Sequence, residues 1–72
     1  MMTQCEKVLE YMKGFGSITP LEAMQDIGCM RLAARIADLR EQGHPIGRRM
    51  KTSKNRYGRD VTFAEYYLIM ED

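Results

Sequence analysis

The apolar pattern of this chain changes its period once, near Ile46, and that change limits the fold more than any other feature. Before it, apolar residues recur every three or four positions in three short blocks, each closed by glycine; after it, apolar and β-prone runs flank one polar, Gly-containing stretch. The first spacing lays a stripe along one side of a helix, and the second suits paired strands. The expectation is an α+β domain: helices over about residues 3–14, 20–27 and 30–42, then a two-stranded hairpin over about 46–68. With 72 residues the chain makes one domain, residues 1–72, because two would each be too small to bury a core without disulfides or metal. A composition of 44% hydrophobic and 29% charged residues is that of a globular chain rather than a disordered one.

Local signals place the helices. Thr3-Gln4-Cys5-Glu6 has capping-box spacing, Cys5, Val8, Leu9 and Met12 make the first stripe, and Gly14 and Gly16 stop it. Thr19-Pro20-Leu21-Glu22 is the stronger start, combining an N-cap, a proline at the first helical position and an acid three residues on. Leu21, Met24 and Ile27 then mark the buried side of a short second helix ended by Gly28. In the third, Leu32, Ala33, Ile36 and Leu39 are expected inward, with Gly43 the terminator before Pro45 and no conventional cap at the start. In the hairpin, Lys51 to Arg59 is the loop region and Val61 to Leu68 the returning strand, with Ala64, Tyr66 and Leu68 facing the core and Phe63 and Tyr67 the other side.

Charge is distributed unevenly. Residues 31–59 hold nine of the eleven Lys and Arg residues against two acids, Asp38 and Glu41, a net +7 within a chain of formal charge +1. Concentrated on one helix and the segment after it, such charge is the footprint of a protein that meets a polyanion. On the third helix Arg31, Ala34, Arg35 and Asp38 fall at i, i+3, i+4 and i+7, away from the Leu32, Ile36 and Leu39 stripe. An exposed strip of this kind can enter the major groove, where arginine reads guanine and small residues meet thymine methyls. Asp38 could accept from cytosine, orient Arg35 or pair with Arg31. Such residues also make an ordinary solvated helix face, and the hairpin decides between the two. Arg48, Arg49, Lys51, Lys54, Arg56 and Arg59 put six positive charges in twelve residues with no acid among them, a run that repels itself unless counter-charge lies alongside. Asn55, Arg56 and Tyr57 could enter the minor groove or lie along phosphates; the alternative is a solubilising turn in which Gly58 takes a positive φ.

The order of elements resembles the winged helix-turn-helix superfamily. Arg31-Leu-Ala-Ala-Arg-Ile-Ala-Asp-Leu-Arg40 followed by Gly43 and Ile46 is similar to its recognition-helix pattern, and Ser17-Ile-Thr-Pro-Leu-Glu-Ala23 to the start of its second helix. With Asn55-Arg-Tyr-Gly58 added, the chain resembles small winged-helix proteins of phages and prophages over about residues 5–68. The resemblance implies a three-helix winged helix-turn-helix that binds double-stranded DNA through the third helix and the hairpin wing, without a cofactor. The expected role is a phage or mobile-element transcriptional regulator or architectural factor. Little chain remains for an effector pocket, so a homodimer or cooperativity on DNA would have to tighten binding. The alternative is a protein-interaction module, such as a phage inhibitor whose basic wing meets a host protein partner.

Other classes find less support. There is no Ser, His and acid set, no phosphate loop and no zinc-ligand spacing, so neither an enzyme nor a metal site is expected. Cys5 and Cys29 read as buried thiols, with a redox disulfide the less favoured alternative in a cytoplasmic protein, and His44 in its Gly-His-Pro turn as a polar surface residue. Apolar runs are too short to span a membrane, and acids occupy the N-terminal stretch where a secretory signal would be apolar.

Overall fold

The computed structural model describes residues 2–69. Helix α1 (Gln4–Phe15) starts where the Thr3 hydroxyl accepts from the Glu6 amide at 3.2 Å. The Glu6 carboxylate accepts from the Thr3 hydroxyl rather than from the Thr3 amide, so only half of the expected box forms. At the other end Gly16 adopts φ 90° and its N–H closes on the Met12 carbonyl, a conformation that a Cβ would oppose.

Directly after this cap, β1 (Ser17–Ile18) forms a strand too short to show an alternation and not anticipated from sequence. Thr19 then caps α2 (Pro20–Glu22) with both halves of the box in place, at 3.0 and 3.2 Å. Helix α2 runs without a break into a π-helical turn (Ala23–Ile27) that ends at Gly28. The wider turn, with the Gly28 N–H reaching the Ala23 carbonyl, changes which side chains point inward. Ala23 is fully buried and Ile27 packs partly against the core, whereas Leu21 is 58% and Met24 43% exposed. The expected Leu21, Met24, Ile27 face is therefore corrected to Ala23 and Ile27.

Helix α3 (Leu32–Glu41) begins two residues later than expected, with Arg31 in the cap position at φ −127°, ψ 63° and no side-chain cap. Leu32, Ile36 and Leu39 are buried as expected, but Ala33 is exposed because it sits about 100° around the helix from Leu32, off the stripe.

Strands β2 (Ile46–Lys54) and β3 (Asp60–Leu68) pair antiparallel from Ile46↔Leu68 to Lys54↔Asp60, and Ser17 and Ile18 pair with Tyr67 and Tyr66, giving the order β1-β3-β2. The inner face of this sheet carries Ile18, Ile46 and Tyr66 into the core with Ala64 and Leu68 beside them. From α1 and α3, Val8, Met12, Leu32, Ile36 and Leu39 close the same core. The outer face carries Phe63, Glu65 and Tyr67. Gly47 leaves room for the Tyr67 ring: a Cβ would stand 2.5 Å from its Cζ and force the ring, which takes the Arg49 guanidinium on its face at 4.8 Å, to move. The Tyr11 hydroxyl donates to Asp26 at 2.6 Å, tying α1 to the π-turn; this bond to a carboxylate pushes the phenol pKa up to about 12. No helix among the described residues is long and apolar enough to cross a membrane.

Candidate nucleic-acid interface

The hairpin projects beyond the body. Each strand has nine residues, about 30 Å of extended chain, and every residue from Arg48 to Thr62 is exposed. At the tip the Asn55 side-chain carbonyl accepts from the amides of Tyr57 and Arg59 at 2.9 and 3.1 Å, while Gly58, at φ 77°, donates to the Asn55 backbone carbonyl. Asn55, expected as a groove contact, also forms the turn through its side-chain carbonyl, and its work leaves Arg56 and Tyr57 outermost, Tyr57 82% exposed.

Folding brings counter-charge to the basic run. Although no acid lies within residues 48–59, β3 supplies two from across the ladder. Glu65 is only 6% exposed and receives Arg49 at 2.6 Å and Lys51 at 3.4 Å. Arg49, helped by Lys51, holds its carboxyl below the ordinary range against the opposing effect of burial. At the outer end Lys54 lies 3.7 Å from Asp60. Arg48, Arg56 and Arg59 have no ion-pair partner among the described residues.

Helix α3 shows a similar division. Arg31 is exposed at its N-terminus, but Ala34, Arg35 and Asp38 are half-buried, because that side of α3 packs toward α1. Arg35 Nη2 meets Asp38 at 3.2 Å, its Nε is buried without a hydrogen-bond partner, and the Cys5 thiol approaches Asp38 at 3.9 Å. Burial pushes the Cys5 thiol up, and the Asp38 charge pushes it further. Cys5 and Cys29 are both free, Cys29 buried and Cys5 half-buried. The expected fully exposed strip is therefore corrected: the solvent side of α3 is Ala33, Ala37, Arg40 and Glu41. Arg40 is exposed but engaged, donating from Nε and Nη2 to the Ile46 carbonyl at 3.3 and 3.1 Å and so fixing β2 to the end of α3.

Of the residues expected to contact DNA, the structure leaves Arg31, Arg48, Arg56, Tyr57 and Arg59 exposed, with no side-chain partner among the described residues. Arg35, Asp38, Arg49, Lys51 and Lys54 are held in ion pairs. Sequence reasoning missed Glu65 and Arg40. The parity of β2 and β3 would have found Glu65 opposite Arg49 had the register been known.

The architecture of three helices, a two-residue strand and a long antiparallel hairpin is that of a winged helix-turn-helix, with α3 as the third helix and β2–β3 as the wing. The winged helix-turn-helix domain family matches residues 3–71, and the chain belongs to it. Membership suggests DNA binding in general terms. No curated protein and no solved structure matches the chain.

Proposed function

We propose that the chain binds double-stranded DNA as a transcriptional regulator or architectural factor of a phage or mobile element. The observation that carries this reading is the set of arginines on the projecting hairpin without an ion-pair partner among the described residues, Arg48, Arg56 and Arg59, joined by Arg31 at the start of α3. Uncompensated guanidinium groups on an exposed ribbon gain most beside phosphates, where they displace condensed counterions. The phage origin rests on the likeness carried by Asn55-Arg-Tyr-Gly58. The test is selection of bound duplexes from a random pool. Enrichment of one motif identifies a regulator with an operator, even binding across sequences identifies an architectural factor, and absence of binding overturns the reading.

A second reading, a protein-interaction module, is favoured by one feature. Between the start of α2 and the outer face of the hairpin lies an open groove of ≈ 590 Å³ whose apolar lining includes Leu21, Val61 and Phe63. A host protein seated there would be captured from nuclease-treated lysate as well as from untreated lysate, whereas a partner held through DNA would be lost.

A further inference from the structure

The two faces of the wing differ in chemistry, because neighbouring residues of a strand point to opposite sides. On the outer face Glu65 neutralises Arg49 and Lys51, and the positions farther out, Ser53, Val61 and Phe63, carry no charge. The inner face continues the core side of the sheet past Tyr66 and Ala64 into solvent. It presents Arg48, Met50, the cross-strand pair Thr52↔Thr62 and, at its far end, the Lys54–Asp60 ion pair, all exposed, with Arg48 free of any carboxylate among the described residues.

We propose that this inner face of the wing, rather than α3, reads the bases, lying in the major groove of duplex DNA. The inference rests on the DNA-binding reading above and names the element that gives it sequence preference. The major groove, about 12 Å wide, admits a two-stranded ribbon. Its edges display acceptors, donors and thymine methyls, and the inner face has a counterpart for each. The Arg48 fork fits guanine O6 and N7, the Thr52 and Thr62 hydroxyls donate or accept, and Met50, 58% exposed, is apolar surface for a methyl group. Arg56 and Arg59, at and beside the tip, are placed to take phosphates that flank the inserted ribbon.

Helix α3 lacks the equivalent groups. Arg35 is held by Asp38 and partly buried, Arg40 is spent on the Ile46 carbonyl, and the solvent side offers the methyl groups of Ala33 and Ala37. Only Arg31, at the cap, has a free fork there, enough to fix a phosphate but not to distinguish several base pairs.

The experiment compares affinities for a duplex selected by the wild-type protein and for its scrambled counterpart. Ribbon variants are Arg48→Ala and the double Thr52→Val/Thr62→Val, which keeps the β-branched shape and removes both hydroxyls. Helix variants are Arg31→Ala and Arg35→Ala, and circular dichroism checks that each is folded. The ratio of selected to scrambled affinity should fall about tenfold or more in each ribbon variant and less than about threefold in each helix variant. A ratio that collapses in the helix variants, or equally in both sets, overturns the proposal. Tight wild-type binding without sequence preference overturns base reading while leaving DNA binding intact. No binding to either duplex overturns both.

Discussion

Salt dependence distinguishes the charge written in the sequence from the charge that folding leaves free. Nine cations lie between residues 31 and 59, but Arg35, Arg49, Lys51 and Lys54 face carboxylates and Arg40 donates to a backbone carbonyl. Four remain among the described residues: Arg31, Arg48, Arg56 and Arg59, and with Arg48 turned to the bases three are left for phosphates. If each of the three meets one phosphate, log affinity plotted against log salt should have a slope of about −2.7, at about 0.9 per contact. Between 50 and 200 mM salt that slope corresponds to roughly a 40-fold loss of affinity, whereas all nine cations in contact would give a slope near −8 and roughly a 10⁵-fold loss. Arg56→Ala should lower the magnitude to about 1.8, weakening binding to all sequences alike, and about 12-fold would then separate the two salt concentrations. The substitution should spare the fold, since Arg56 is an exposed residue of the tip turn. Fluorescence anisotropy of a labelled duplex, titrated at several salt concentrations, measures each slope. A wild-type slope near −8 would show that the ion pairs with Glu65, Asp60 and Asp38 open on binding. An unchanged slope in folded Arg56→Ala would show that the tip does not touch the backbone.

Other substitutions test the scaffold. Ile36→Ala, at a side chain 1% exposed in the middle of α3, should cost about 2–5 kcal/mol in chemical denaturation, and an unchanged midpoint would refute the packing of α3 against α1 and the sheet. Gly47→Ala drives a methyl group into the Tyr67 ring and should cost about 1–3 kcal/mol; restored stability in Gly47→Ala/Tyr67→Ala would confirm the clash as the cause. The Glu65 carboxyl is held low in the fold, so its contribution is present above the ordinary glutamate value of about 4.3 and is lost as pH falls through its lower folded value. Thermal melts of the wild type should therefore decline through this acid range more steeply than those of Glu65→Gln, and parallel curves would remove Glu65 as a source of acid sensitivity.

The main divisions of the fold were legible because each is encoded locally. The Thr19 box, the glycine at the end of each helix and the change of period at Ile46 are read within a few residues, and the hairpin has the expected outer limits of 46 and 68, although Lys51 to Lys54 and Asp60, expected in or beside the loop, belong to the strands. Features decided by partners distant in sequence were not legible. Ser17-Ile18 is a strand only because Tyr66 and Tyr67 lie alongside it. Leu21 and Met24 have the spacing of a buried face, but a π-turn moves that face to Ala23 and Ile27, and no local signal marks where a helix widens. The same limit governed the candidate site. The basic residues were countable, but which of them stay free depends on Glu65 and Asp60, brought opposite by a register fixed over the whole hairpin. On α3, helical spacing identified a polar strip, yet only packing against α1 showed that Arg35 and Asp38 face each other in a half-buried position.

Strand β2 lies at the margin of the sheet, and its free edge has no strand partner among the described residues along Ile46–Lys54. An uncovered edge of this length is a template for pairing with another molecule, and lysine and arginine side chains are a common guard against it. On β2 the guards are Arg48, Arg49, Lys51 and Lys54, three of which spend charge on carboxylates of β3. Like-charged wings repel one another, so the residues that would attract a nucleic acid also keep the protein from growing into a continuous sheet. A variant stripped of several wing cations loses that protection together with its affinity. Its failure to bind can then arise from self-association, and light scattering on such a variant must come before any binding measurement.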